Sequence, residues 1–437
     1  MVKIGKKIKH SRRHNKKTKR AANSQAVSAP QQIFQQALTF HQTGRLGEAE
    51  ALYRQVLTLK SDYAEAHYNL GLTLFGQGRL DEATVSFNQA ITIKPDYIEA
   101  HYNLGVVLQD LGRLEEAAAS YGRVIALKPG YAAAHYNLGT IFYRQGRLEE
   151  AVKSMQTAVE IAPGQDIFSD DLLVLLNNFM PNTANGSPYV KAQKQLQEVS
   201  REYANTKAIS DETVQRLYRK CREILALHNL NIHTTINQLY RGVIATDNCN
   251  RHKRIFDNLK IIPEYCFSCY KVTIHPRTVM ELFKLLFVFE MVQLPADNSR
   301  KCIIEVRPNI SGTYKGFIYC RSLHEANEIL HIVQPLIAQK ISEKIPIVIK
   351  RGCSEFQATY PAFGQVTDNQ IPQMSYKEAW REQEAAADRN MPIEPPENPY
   401  NFSHNHSGLT LLDILVMDNW LAYAAKIGDL SYQKIRE

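Results

Sequence analysis

Three sets of residues in this chain have types and spacings suited to chemistry. The pentapeptide His-Tyr-Asn-Leu-Gly recurs at His67, His101 and His135, each time 34 residues on. Histidine is a metal-ligand type, but side chains 34 residues apart on separate units do not share one ion, so these three read as packing residues. The asparagines carry the open chemistry. Asn69, Asn103 and Asn137 lie between packed neighbours, and an amide offers both a donor and an acceptor. A row of amides along a groove can pair with successive peptide groups of an extended chain, largely blind to its side chains. The competing reading has the same amides bond to neighbouring helices and only shape the stack. The second set is Cys266, Cys302, Cys320 and Cys353. Four converging thiolates can hold zinc or an iron-sulfur cluster, and free cysteines equally well fill a core. The third set is Phe317, Tyr319 and Arg321, alternating along one predicted strand. Aromatics so placed stack on bases, though an aromatic pair also serves packing or a protein interface. No Gly-rich phosphate loop, Gly-x-Ser-x-Gly elbow or HExxH helix occurs.

The elements that position the first set are repeats. A Gly-Arg-Leu marker at Gly44, Gly78, Gly112 and Gly146 keeps the same step, giving blocks 30–63, 64–97, 98–131 and 132–165. A fixed period of this size signals stacked supersecondary units. Each block has two apolar periodic segments around the Gly-Arg-Leu turn, and three end at Pro95, Pro129 and Pro163. That pattern predicts helix, tight turn, helix and stop. The recurring Ala49, Ala83, Ala117 and Ala151 suit a close approach of two helix backbones.

Leu70, Gly71, Ala83, Phe87, Ala90 and Pro95, with equivalents in the next two blocks, resemble the signature of the tetratricopeptide family. The first block departs from it at Ile33, Gln36, Ala37 and Ser61, as terminal repeats do. The resemblance implies an α-solenoid whose first helices line a concave side and bind another protein through an extended segment. The asparagine row is similar to that in the repeats of O-linked N-acetylglucosamine transferases, but no recognisable glycosyltransferase region follows. An apolar segment at 166–180, with Ser169 as its expected N-cap, is predicted to close the solenoid.

The formal charge is +8, yet the first twenty residues hold ten Lys or Arg and no acid, so the remainder sums to −2. Residues 1–29 therefore read as a basic arm, able to reach an acidic partner or nucleic acid. No stretch is long and apolar enough to span a bilayer. Seven cysteines in 437 residues, without an export signal, suit a cytoplasmic setting.

Residues 187–263 read as helical, with Ser210 opening a helix. From 264 to 358 short β-rich runs alternate with helices: strands at 265–274, 301–309, 312–322 and from Ile345, joined at Ile310 and Ser311, with helices from Pro276 and from Ser322. The order βαββαβ is the ferredoxin-like split motif, with one sheet face free of helices. In that topology the four cysteines above occupy one end of the sheet. Residues 359–437 read as polar and proline-rich, notably Pro392 to Pro399, ending in an amphipathic helix that docks on a domain or on a partner.

Overall fold

Every repeat turns on a glycine that only a residue without a Cβ fits comfortably. Gly44, Gly78, Gly112 and Gly146 have φ between +73° and +77°, the left-handed region that costs other residues energy. The computed structural model describes residues 29–179, 187–201, 209–241, 249–306, 312–353, 356, 359–364, 372, 374–390 and 408–436. The basic arm up to residue 28, most of the loop from Pro181, the junction at Ile310 and Ser311, and the proline-rich run at 392–399 lie outside the described residues. The chain divides into two units, Met1–Arg113 and Leu114–Glu437.

The first unit holds α1 (Ala29–Gln42), α2 (Leu46–Leu59), α3 (Ala64–Gly76), α4 (Leu80–Ile93) and α5 (Ile98–Asp110). Its helices pair as the sequence pattern predicts, with Ala37, Ala49, Ala83, Phe87, Ala90 and Ala100 fully buried. A Cβ added at Gly71 would lie 2.7 Å from Cε1 of Phe87. Glycine there lets α3 and α4 approach across the hairpin.

The second unit opens with α6 (Leu114–Leu127), α7 (Ala132–Arg144), α8 (Leu148–Ile161) and α9 (Asp166–Asn178). Ser169 does not cap α9: the helix begins after Gln165, and Ser169 is buried inside it. Then come α10 (Pro188–Arg201) and α11 (Asp211–Leu227), the latter capped by Ser210, whose Oγ accepts from the Thr213 amide. The region expected to be wholly helical also contains a strand, β1 (Gln238–Arg241), before α12 (Cys249–Leu259).

The sheet comprises β1, β2 (Tyr270–Ile274), β3 (Arg300–Ile304), β4 (Tyr314–Cys320) and β5 (Ile347–Arg351), in the antiparallel order β1-β3-β4-β2-β5. Residues 265–269 are not strand. Glu264–Phe267 forms a 3₁₀ turn because the Cys266 amide bonds back to Pro263, and Ser268 Oγ donates to the Tyr265 carbonyl at 2.8 Å. Helices α13 (Val279–Met291) and α14 (Leu323–Lys340) are each opened by a hydroxyl: Thr278 accepts from the Glu281 amide and Ser322 from the Glu325 amide. A Cβ at Gly316 would collide with Leu285 and Phe289 of α13, so the even residues of β4 face the helices.

The chain ends with α15 (Arg381–Asn390), α16 (Leu411–Ile427) and α17 (Ser431–Arg436). The final long helix α16 is a core helix rather than an amphipathic one. Leu411, Ile414, Val416, Met417, Trp420, Leu421 and Ala424 are all buried. Its fixed point is electrostatic. Arg241 Nη2 bonds Asp413 Oδ2 at 2.8 Å, Nη1 bonds Asp413 Oδ1 at 3.1 Å, and Nε reaches Glu290 of α13. Burial works against the guanidinium charge, but Asp413 and Glu290 outweigh it and raise the Arg241 pKa above its usual value. Asp413 also accepts from the Thr410 amide at 2.8 Å, completing a capping box. A smaller core of Ile255, Phe256, Ile262, Phe267, Phe363 and Trp380 sits apart. Among the described residues no helix is long and apolar enough to cross a membrane.

Removing one member of a buried ion pair leaves its partner's charge stranded, which costs about 3–5 kcal/mol. Arg241→Met is therefore expected to lower unfolding free energy by that amount in denaturant titration. Adding Asp413→Leu and Glu290→Leu should restore more than half of the loss. A loss below about 1 kcal/mol for Arg241→Met alone would show that the pair is not holding α16.

Candidate functional site

The repeated pentapeptide divides its labour residue by residue. In all three copies the histidine Nε2–H reaches back six residues to a carbonyl of the preceding turn: His67 to Ser61 at 3.0 Å, His101 to Pro95 at 3.0 Å and His135 to Pro129 at 2.9 Å. A carbonyl only accepts, so the bond fixes the tautomer with the proton on Nε2. The same turns carry a second recurring contact, a lysine ammonium over a tyrosine ring: Lys60 on Tyr63 at 4.9 Å, Lys94 on Tyr97 at 4.7 Å and Lys128 on Tyr131 at 5.3 Å. The histidines thus close the connection between repeats, in keeping with the packing role read from the sequence.

Asn69 and Asn103 are engaged through their amide nitrogens. Asn69 Nδ2 donates to the Glu65 carbonyl at 2.7 Å; Asn103 Nδ2 donates to the Glu99 carbonyl and to Tyr68 Oη, both at 3.0 Å. In the second unit Asn137 Nδ2 donates to Tyr121 Oη at 3.2 Å. The amide nitrogens of Asn103 and Asn137 therefore reach a neighbouring helix, the stack-shaping role that the sequence left open, while that of Asn69 bonds within its own helix. The Oδ1 atoms of Asn69 and Asn103 meet no partner among the described residues, and both side chains are partly exposed. The tyrosine between histidine and asparagine packs onward: Tyr68 on Tyr97 with centroids 4.9 Å apart, and Tyr136 on Phe168 at 4.7 Å. Burial first, then Tyr68, Glu65 and Glu99, pushes the Tyr97 phenol pKa up, so carboxylates stand near this row. Helices α3 and α5 carry Glu65, Glu99 and Asp110 and no Lys or Arg.

One position escaped the sequence reading. Asp171 on α9 lies 34 residues after Asn137 and accepts from the Tyr136 hydroxyl. Helix α9 thus keeps the phase of the repeats, a signal that the period alone carried.

The four cysteines do not converge. Cys302 is paired across the sheet with Gly316 of β4, whereas Cys320 lies four residues further along that strand, roughly 13 Å on. Cys266 is in the smaller core and Cys353 beyond the end of β5, only partly buried. Among the described residues no three His, Cys, Asp or Glu side chains group as a metal-ligand set. Burial raises the thiols of Cys221 and Cys320 to about 12 and pushes Cys302 higher; thiols so shifted are poor nucleophiles. Phe317 and Tyr319 share one sheet face, centroids 6.5 Å apart, with the Lys271 ammonium 5.6 Å and 5.2 Å from their rings. Arg321 lies just past β4, exposed.

The turn bond gives a direct expectation. His101→Leu leaves the Pro95 carbonyl without its buried donor and is expected to cost about 1–3 kcal/mol in chemical denaturation. A change within about 0.3 kcal/mol would mean the bond contributes nothing beyond packing.

These repeats match family models described as tetratricopeptide repeat, over residues 102–166, and TPR repeat, over 37–78 and 71–112. No curated protein matches the chain. Among solved structures, one of MamA is 27% identical, with a TM-score of 0.31, and the match covers 31% of this chain and 79% of that one. MamA from Desulfovibrio magneticus RS-1 is 22% identical with a TM-score of 0.33, covering 35% and 86%. YrrB, described as a TPR protein with an unusual peptide-binding site, is 20% identical with a TM-score of 0.31, covering 46% and 88%. Residues 37–166 of this chain are tetratricopeptide repeats.

Proposed function

We propose that the chain is an interaction scaffold whose repeats hold an extended segment of a partner protein. The observation that carries the reading is the division of the Asn69 and Asn103 side chains. Nδ2 of Asn69 and Asn103 is committed to protein acceptors, and Oδ1 is the group left to receive a donor. An extended chain presents backbone N–H groups at regular intervals, and a row of fixed acceptors can take them without reading side chains. The ring contacts and turn bonds around each asparagine hold it in place, so little ordering is needed when a segment arrives. Asn137 occupies the same position of its own repeat and is included in the row on that position alone.

For residues 264–358 we propose a ferredoxin-like arrangement that adds a second contact surface. Its support is the succession β2, α13, β3, β4, α14, β5 and the order β5-β2-β4-β3 within the sheet, with β1 as an added edge.

The test separates binding from stack shaping. Asn69, Asn103 and Asn137 changed together to Ala should weaken capture of the partner recovered with the full chain by about a hundredfold, at about 1 kcal/mol per lost bond. Changed together to Asp, which keeps an acceptor oxygen, they should hold an uncharged segment within about fivefold of the parent, roughly 1 kcal/mol. Undiminished capture by the Ala variant, with the helical circular dichroism unchanged, would contradict the reading.

A further inference from the structure

Cys269 and Cys353 stand at one corner of the sheet, 353 − 269 = 84 residues apart in sequence and both partly exposed. Cys269 immediately precedes β2, and its carbonyl accepts from the Gly352 amide at 2.8 Å, one step past the Tyr270–Arg351 pair of the β2–β5 ladder. Opposed residues in such a pair have Cα atoms about 5.5 Å apart, which brings Cys353, the next residue, to the range that disulfides bridge. In a regular strand residue 353 would point to the sheet face opposite that of Lys271. Gly352 breaks the alternation with a left-handed φ of +60°, and Lys271 Nζ donates to Cys353 Sγ at 3.8 Å. Cys269, two residues before Lys271, shares its face. Burial raises the Cys269 thiol, while Lys271 opposes that rise and Cys353 adds to it, so the three groups lie in one another's field. The same corner meets the smaller core: a Cβ at Gly352 would collide with the ring of Phe363, which packs there with Phe267.

We propose that Cys269 and Cys353 are a reversible dithiol–disulfide pair, oxidised by hydroperoxides, that staples the sheet to the smaller core. The Cys353 sulfur attacks the peroxide: an S–O bond forms, the O–O bond breaks, and the alcohol or water leaves with the thiol proton, giving a sulfenic acid. The Cys269 sulfur then attacks that sulfur. The S–S bond forms, the S–O bond breaks, and the hydroxide leaves as water with the Cys269 proton. Two thiols are oxidised and one peroxide is reduced. Lys271 is a positioning residue here, its ammonium set against the sulfur that bears negative charge in the attack. Cys302 and Cys320 are buried and serve the core, whereas a peroxide reaches the partly exposed pair. Closing a ring of this length restricts the opened chain, so the oxidised form holds the corner between β5 and the smaller core shut.

The test uses the unaltered full chain, fully reduced, then treated with hydrogen peroxide and with iodoacetamide to block remaining thiols. Peptide mass mapping should find Cys269 joined to Cys353 within one chain, with the loss of two hydrogen atoms and full reversal by dithiothreitol. In the Cys269→Ser variant the reaction should stop at a sulfenic acid on Cys353, trapped by dimedone. Lys271→Met should slow formation of the bond about tenfold. Oxidation of the unaltered chain should also slow amide exchange in Glu264–Phe267 and Pro361–Gly364 by about tenfold. Full alkylation of both cysteines after peroxide, a bond from Cys269 to Cys320 instead, or a bond between two chains would overturn the proposal. A Cys269–Cys353 bond that left exchange unchanged would overturn the staple, and an unslowed Lys271→Met variant would overturn the part given to the ammonium.

Discussion

One hydrogen bond, made three times, sets the frame in which the repeats work. A histidine Nε2–H bonds a carbonyl six residues earlier, and so ties the start of each first helix to the turn before it. The asparagine two residues on takes its place on the helix from that turn, while its Nδ2 partner differs from copy to copy. The helix pairs close on the glycine at the end of the pentapeptide: a Cβ at Gly139 would meet Met155 at 2.7 Å through its side chain and at 3.2 Å through its backbone. Helix α9 shows what happens when that condition lapses. It keeps the period, with Asp171 at the asparagine position, but carries Leu173 where Gly139 would recur, and Leu173 is buried. A second repeat helix has no room to approach, and α9 joins the core shared with α16 instead.

A different interaction organises the rest of the second unit. Arg241 on β1 and Asp413 on α16 are 172 residues apart in sequence yet share two hydrogen bonds in a buried setting. The same carboxylate caps its own helix, so the helix start and the ion pair share one side chain. Glu290 extends the contact to α13 and also accepts from the Gly408 amide. The sheet, its covering helix and the last long helix are thereby locked at one point.

Signals that repeat or punctuate were legible in the sequence. The 34-residue step gave a helix on each side of every Gly-Arg-Leu turn, and Ser210 and Ser322 marked helix starts because their hydroxyls accept from amides three residues on. Long-range polar partners were not legible. Helix α16 read as amphipathic, but within the fold Asp413 pairs with Arg241, Asp418 with Tyr218 and Arg222, and Asn419 with the carbonyls of Thr234 and Ile236. Each of these polar groups is answered within the fold, Asp413 fully buried and Asp418 and Asn419 partly exposed. Strand β1 was missed for the same reason, since a buried arginine looks like surface until its carboxylates are known. The cysteines misled because residue type says nothing of strand register, and the pairing of Cys302 with Gly316 separates it from Cys320. The asparagine row was visible as a position, but which of its two polar atoms was left to bind depended on Tyr68 and on carbonyls four residues back.

The first helices of the repeats are the elements proposed to hold the partner. Hydrogen–deuterium exchange of the full chain, with and without its captured partner, tests this most directly. Slower exchange in Ala64–Gly76, Ile98–Asp110 and Ala132–Arg144, with little change in the second helix of each repeat, is the predicted result. Protection confined to the second helices, or to residues outside the repeats, would contradict it.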